Sequence, residues 1–84
     1  MTWRESIKKE MASHGDSFDL LESSTLTDNE LDETFDSDFG ATYGRPFTLW
    51  TKTRVYFPVQ YDGAEWAASV SRDPDNKPTN HLGA

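Results

Sequence analysis

Residues 54–71 read RVYFPVQYDGAEWAASVS, and this pattern predicts an antiparallel β-hairpin. Apolar side chains recur at every second position, which is the period of a strand with one buried face. The predicted strands are 54–61 and 65–71, and Asp62-Gly63 between them is typical of a two-residue type I′ turn. The residues expected on the buried face are Val55, Phe57, Val59, Tyr61, Trp66, Ala68 and Val70.

The segment before the hairpin, residues 47–51, is rich in aromatic and β-branched residues and predicts another strand. The expected sheet is therefore a three-stranded antiparallel meander. Pro58 removes one backbone donor, so its strand needs either a bulge or an unpaired side at that position. Because an apolar sheet face must be covered, we expect at least one helix to pack on it.

A capping box opens the chain and predicts a first helix over residues 3–13. Thr2 is the expected N-cap and Glu5 its reciprocal partner, while Gly15 suits the position just past the helix end. One apolar stripe at helical spacing follows the cap. Its members are Trp3, Ile7 and Met11.

A second capping box, Thr27 with Glu30, predicts a short acidic helix over residues 28–36. Leu26 and Leu31 flank it at the positions of a hydrophobic staple. The Ser- and Thr-rich residues 17–25 before it are predicted to be a strand or an extended segment.

These elements predict the α+β class in a single small domain over residues 1–84. The expected order is an N-terminal helix, an extended segment, the acidic helix and the three-stranded meander. Residues 37–46 contain two glycines and a proline and are predicted to be a loop. Residues 73–84 are turn-rich and are predicted to be a mobile tail.

Composition excludes several classes of protein. The chain has 84 residues, no cysteine, and 15 acidic against 8 basic residues, for a formal net charge of −7. It therefore has no disulfide framework or cysteine zinc site, and it lacks the basic footprint of a nucleic-acid binder. With no apolar run of membrane length, we expect no membrane contact and a location in the cytoplasm.

The acidic residues concentrate in one block, residues 16–38, which contains no Lys, Arg or His. Along a helix, residues four apart advance about 6 Å, so Asp28, Asp32 and Asp36 predict a row of carboxylates resembling a short phosphate backbone. Such a surface is expected to bind the basic groove of a nucleic-acid-binding protein. The candidate partner-binding residues are Asp16, Asp19, Glu22, Asp28, Glu30, Asp32, Glu33, Asp36 and Asp38.

No motif in the chain predicts catalysis, a cofactor or a metal site. Calcium-loop spacing fails from both Asp28 and Asp36, which leaves only weak divalent-cation binding at Asp36 and Asp38 as an alternative. A second alternative is stacking of single-stranded nucleic acid on aromatic residues beside basic ones. The residues of that platform are Tyr43, Trp50, Tyr56, Tyr61 and Trp66, with Arg45, Lys52 and Arg54.

Residues 47–66, FTLWTKTRVYFPVQYDGAEW, with Ser71-Arg-Asp-Pro after them, resemble small proteins encoded by phages and prophages. In size and acidity the chain also resembles the phage inhibitors of bacterial defence, the anti-CRISPR and anti-restriction proteins. That resemblance implies a non-enzymatic inhibitor that binds a CRISPR effector or another nucleic-acid-binding defence protein in the cytoplasm of the bacterial host cell.

A different class of function stays open beside the inhibitor. The chain can equally be a small structural or accessory binding module whose acidity only confers solubility. An exposed strand edge would make a homodimer easy to build in either case.

Overall fold

The computed structural model describes residues 1–36 and 44–82, and its four strands form one antiparallel sheet in the order β1-β2-β3-β4. The predicted α+β class is confirmed, and the sheet has one more strand than the three expected. The elements are α1 Trp3–Ser13, a 3-10 turn Phe18–Leu20, β1 Leu21–Ser24, α2 Asp28–Leu31, β2 Leu49–Thr51, β3 Arg54–Tyr61 and β4 Ala64–Ser71.

The first helix has the predicted bounds because both of its ends are closed by local hydrogen bonds. Thr2 Oγ1 accepts from the Glu5 N–H at 3.1 Å, and the Glu5 carboxylate accepts from the Thr2 N–H at 3.1 Å. At the other end Gly15 has a φ of 65°, which glycine adopts without strain. The Asp16 N–H then donates back to the Met11 carbonyl at 2.9 Å, as in a Schellman motif.

The second helix begins as predicted but is shorter. The Thr27 and Glu30 capping box is present, with hydrogen bonds of 3.2 and 2.9 Å. The helix ends at Leu31, so the predicted extent of 28–36 is wrong. The chain turns away because the Phe35 N–H donates to the Met1 carbonyl at 3.0 Å and the Phe35 ring packs on Trp3.

Replacing Thr27 by alanine should destabilise the protein by about 0.5–2 kcal/mol, because the Glu30 N–H loses its acceptor at the start of α2. Urea denaturation of both proteins measures the difference. Thr34→Ala is the matched control, since Thr34 is exposed and lies beyond the helix. Equal stability of the Thr27 variant and the unmodified protein would show that the cap has no role.

The hairpin of β3 and β4 confirms the predicted pairing. Their register is continuous from Arg54↔Ser71 to Tyr61↔Ala64, and both turn residues have positive φ, 51° and 84°, as a type I′ turn requires. Pro58 interrupts nothing, because β2 pairs with β3 only at Tyr56 and Val55. Pro58 therefore has the unpaired side that its missing N–H demands.

The fourth strand comes from the segment predicted to be a strand or an extended segment. Residues 21–24 pair with β2, with Leu21 opposite Thr51, Ser24 opposite Leu49 and an irregular register between them. The predicted strand 47–51 is shorter, Leu49–Thr51, and the last strand begins at Ala64 instead of 65.

The core lies on the face of the sheet opposite to the predicted one. Tyr56 and Leu49 are fully buried beneath α1, whereas Val55, Phe57 and Val59 are only partly buried. We call the α1 side the inner face and the other side the outer face. The expectation that a helix covers the alternating apolar run is therefore wrong. The core members are Trp3, Ile7, Met11, Leu26, Leu31, Phe47, Leu49, Tyr56 and Ala67.

The size of the β4 side chains explains which face α1 covers. On the inner face β4 presents Ala67 and Ser69, which let the helix approach closely. The Ser6 Oγ of α1 accepts a hydrogen bond from the Ala67 N–H at 2.8 Å. On the outer face Trp66, which lies opposite Val59, is too bulky for such an approach. The small side chains at this point of β4 therefore favour packing of α1 on the inner face.

Candidate functional site

The acidic residues expected to bind a partner separate into two groups in the folded chain. Asp16, Asp19 and Glu22 lie around the turn that leads into β1. The other group lies on or just after α2, on the same side of the sheet as α1, and we call it the helix-side acidic surface. It comprises Asp28, Glu30, Asp32, Glu33 and Asp36, while Asp38 falls outside the described residues.

The predicted row of carboxylates along one helix is wrong, because α2 ends at Leu31. Instead, Arg4 of α1 holds two carboxylates at once. Its Nε donates to Asp32 at 2.6 Å, and its Nη2 donates to Asp28 at 3.2 Å. The hydrogen bond to Asp32 is the main reason why the pKa of Arg4 is raised. One guanidinium between two carboxylates leaves one excess negative charge.

Arg45 repeats this arrangement a short distance away. It binds Glu33 through two parallel hydrogen bonds of 3.0 and 3.1 Å and lies 3.3 Å from a Glu30 carboxylate oxygen. The hydrogen bond from the Thr27 backbone N–H is the main reason why the pKa of Glu30 is lowered, and burial opposes it. The Thr27 side chain and the charge of Arg45 add smaller lowering effects. Here too the cluster keeps one excess negative charge.

These two clusters make the helix-side acidic surface both fixed and accessible. Five carboxylates and two guanidinium groups give it a net charge of −3. The Asp28 side chain is 88% exposed and that of Asp32 57% exposed, so both remain open to a partner. Bidentate and shared ion pairs restrict the rotamers of these side chains, which lowers the entropy cost of binding.

Glu22 forms an ion pair with Arg72 at one end of the sheet. Arg72, just after β4, donates to the Thr51 carbonyl at 2.8 Å and also to the Glu22 carboxylate of β1. This ion pair spans from the end of β4 to β1 across the end of the sheet.

Asp16 points into the molecule and holds two buried hydroxyl groups. Its Oδ2 accepts from Thr51 Oγ1 and from the Tyr56 hydroxyl, each at 2.6 Å, and its Oδ1 accepts from the Ser17 N–H at 2.9 Å. Burial by itself raises the pKa of Asp16, but these hydrogen bonds and the charge of Arg54 outweigh it and lower the pKa. Burial and the neighbouring carboxylate raise the pKa of Tyr56.

Removal of the Tyr56 hydroxyl tests this network. Tyr56→Phe should cost about 1–3 kcal/mol near neutral pH, because a hydrogen bond to a partly buried carboxylate is lost. A lowered folded-state pKa means that Asp16 stabilises the fold above its ordinary value of 3.8, and this contribution is lost as the pH falls below it. The variant should therefore lose less stability than the unmodified protein as the pH falls from about 4 through the lowered pKa of Asp16.

Urea denaturation at a series of pH values measures both effects. Tyr61→Phe is the matched control, since the Tyr61 side chain is 51% exposed on the outer face. If the pH dependence of unfolding is the same with and without the Tyr56 hydroxyl, Asp16 does not act through that bond.

Asp19 and Asp36 are the remaining acidic candidates, and both are exposed. Within residues 1–36 and 44–82 neither takes part in an ion pair. Lys8 and Lys9 are also exposed, on the solvent side of α1, and they supply matched controls outside the acidic block.

The aromatic residues of the alternative nucleic-acid platform do not all lie on the same face of the sheet. Trp50 pairs with Val55 and Trp66 with Val59, which places both tryptophans on the outer face. Tyr56 is fully buried on the inner face and bound to Asp16, so its ring is closed to a base. Tyr43 lies outside the described residues.

Glu10 contacts both a histidine and a serine in an arrangement that resembles a catalytic triad. His14 Nε2 lies 3.2 Å from Glu10 Oε2, and Ser69 Oγ donates to the same oxygen at 2.7 Å. A nucleophilic serine needs the histidine beside its hydroxyl, with the carboxylate behind the histidine. Here the carboxylate stands between them, so this cluster does not have that order.

The described part of the chain contains no cluster of three metal-binding side chains. None of its helices is long and apolar enough to cross a bilayer. No family model matches the chain, and no curated protein or solved structure matches it either.

The basic partners of the acidic block were missed by the sequence analysis. Arg4, Arg45 and Arg72 come from three distant parts of the chain, so no local spacing pairs them with residues 16–38. The charge count gave one indication, because residues 16–38 contain no Lys, Arg or His. Any basic partner of these acids therefore comes from another part of the chain.

Proposed function

We propose that this protein is a non-enzymatic inhibitor of a bacterial defence system. It acts by occupying a basic, nucleic-acid-binding surface of another protein, and a CRISPR effector complex in the cytoplasm of the bacterial host is the target that its resemblance to phage inhibitors favours. The contact is the helix-side acidic surface. The observation that carries the proposal is the pair of arginine-centred clusters, each with one carboxylate in excess.

The clusters suit a partner that normally binds phosphates. A phosphate backbone presents regularly spaced, fixed negative charges to Lys and Arg side chains. Arg4 and Arg45 fix four carboxylates in comparable fashion and leave their outer oxygens exposed. The formal net charge of −7 adds long-range attraction to a basic protein, which raises the association rate at low salt.

The alternative class, an accessory binding module whose acidity confers only solubility and stability, has one observation in its favour. Most described acids of the block have partners within the chain, so the fold itself uses them. Those acids are Asp16, Glu22, Asp28, Glu30, Asp32 and Glu33.

Replacing carboxylates of the helix-side acidic surface by neutral amides of the same size distinguishes the two proposed functions. The triple variant Asp28→Asn, Asp32→Asn, Glu33→Gln keeps an acceptor oxygen beside each arginine and removes three charges. The affinity of this variant for the target protein should be roughly tenfold to a hundredfold lower, because the electrostatic attraction is lost. The measurement is capture by the tagged protein from a lysate with active CRISPR–Cas and restriction systems, followed by titration of the captured protein.

The control is Lys8→Gln with Lys9→Gln, which should leave binding almost unchanged. Rising salt and added nucleic acid should both displace the target, because exposed charges are screened over about 8–10 Å near physiological ionic strength. A target that stays bound to the triple variant and at high salt would support the accessory module instead.

A further inference from the structure

The outer face of the sheet is rich in apolar and aromatic side chains, as is typical of a surface that another layer covers. Two tryptophans, a phenylalanine, a tyrosine and three valines lie on it, and these side chains are partly buried or exposed. None of them belongs to the core cluster on the inner face. The residues are Trp50, Val55, Phe57, Val59, Tyr61, Trp66 and Val70.

Apolar residues on both faces of β3 indicate a sheet between two layers. Val55, Tyr56 and Phe57 are consecutive, so one of them faces the core and two face outward. Near-continuous apolar runs are typical of strands that are buried on both sides. In this chain α1 supplies only one of the two layers. Within residues 1–36 and 44–82 both helices contribute to the core on the inner face, and neither covers the outer face.

We propose that the outer face binds a second copy of this chain, forming a face-to-face homodimer. The inference does not depend on the proposed function, because that function uses the opposite side of the sheet. The helix-side acidic surfaces of the two copies then point away from each other. Their repulsion across the dimer is therefore small, and both remain free to bind.

Area and charge both favour a second copy as the occupant. β3 and β4 have eight residues each, whereas β1 has four and β2 has three. At about 3.4 Å per residue and about 4.8 Å between strands, the sheet offers a projected face of roughly 400 Å². Side chains project from the sheet and add to this area. The total surface buried by two such faces therefore approaches the roughly 1,000 Å² of a specific interface. Lys52 lies at one end of β3 and Asp62 at the other. A twofold axis in the interface and across the strands brings the lysine end of one copy beside the aspartate end of the other.

Pairing through the free edge of β4 is a weaker route to a dimer. The Ala67 N–H already donates to Ser6 Oγ at 2.8 Å, and the Ser69 carbonyl accepts from Arg54 at 3.3 Å. Two edge groups that an added strand would need are therefore engaged by side chains. This leaves the outer face as the better surface for a second copy.

Sedimentation equilibrium of the full chain across the micromolar range tests the proposal. The unmodified protein should be a dimer that dissociates on dilution, and Val59→Lys should weaken dimerisation at least about tenfold, because a charge is placed in an apolar interface. Tyr61→Ser is a second variant at an exposed position that should also weaken it. Lys8→Ser on α1 is the control and should dimerise like the unmodified protein. Circular dichroism confirms that each variant is folded.

Acrylamide quenching gives a readout that needs no substitution. Trp50 and Trp66 should become less accessible as the protein concentration rises, while Trp3 is buried throughout. A chain that is monomeric at every concentration overturns the proposal, as does a folded Val59→Lys variant that dimerises normally. Protection of Trp50 and Trp66 only by a different protein assigns the face to that protein and also overturns it.

Discussion

Replacing Trp3 by alanine should cost about 3–5 kcal/mol, which is a large share of the stability of so small a protein. The Trp3 side chain is 1% exposed and lies between the rings of Phe35 and Phe47, with centroid distances of 4.9 and 4.8 Å. Its indole N–H donates to the Arg45 carbonyl at 3.0 Å. Truncation leaves a large cavity and an unpaired carbonyl in a domain whose total stability is only roughly 4–13 kcal/mol.

Urea denaturation monitored by far-UV circular dichroism measures this loss. Trp50→Ala is the matched control, because it makes the same chemical change on the half-buried outer face. We expect the Trp50 variant to lose less than half as much stability. Equal losses would mean that Trp3 is not the centre of the core.

The second large effect distinguishes two neighbouring residues of β3. Tyr56→Ala should cost about 3–5 kcal/mol, because the ring is fully buried and its hydroxyl binds Asp16. Phe57→Ala should cost only about 1–2 kcal/mol, because the Phe57 ring is partly exposed on the outer face. The sequence pattern instead predicts Phe57, and not Tyr56, on the buried face of the strand.

Thermal or urea denaturation at low protein concentration makes this comparison without interference from dimer formation. At high concentration the Phe57 variant should lose additional stability relative to the unmodified protein, since a dimer stabilises the folded state by mass action. A larger intrinsic loss for Phe57 than for Tyr56 would show that the two faces of the sheet are exchanged.

Features with a local cause were predictable from the sequence. The bounds of α1 follow from the Thr2 and Glu5 capping box and from Gly15. The hairpin follows from alternation up to Tyr61 and from the turn at Asp62-Gly63. In each case residues close in the chain carry the whole signal.

Features with a tertiary cause were not predictable in this way. The second helix ends early because Phe35 packs on Trp3, which is distant in the chain. The covered face of the sheet depends on the small side chains of β4 beneath α1. The acidic residues of the candidate site were predictable from their concentration in one block of the sequence. Their geometry was not, because it depends on ion pairs with Arg4 and Arg45. Long-range ion pairs leave no periodic pattern in a single sequence.

The most direct test of the proposed function is the plating of a targeted phage on bacteria that have active CRISPR–Cas immunity. Expression of this protein should restore plaque formation, and the neutral triple variant at Asp28, Asp32 and Glu33 should fail to do so while remaining folded. The Lys8 and Lys9 control should restore plaques like the unmodified protein. Unchanged immunity in hosts with CRISPR–Cas and with restriction systems, or full activity of the triple variant, would contradict inhibition through the helix-side acidic surface.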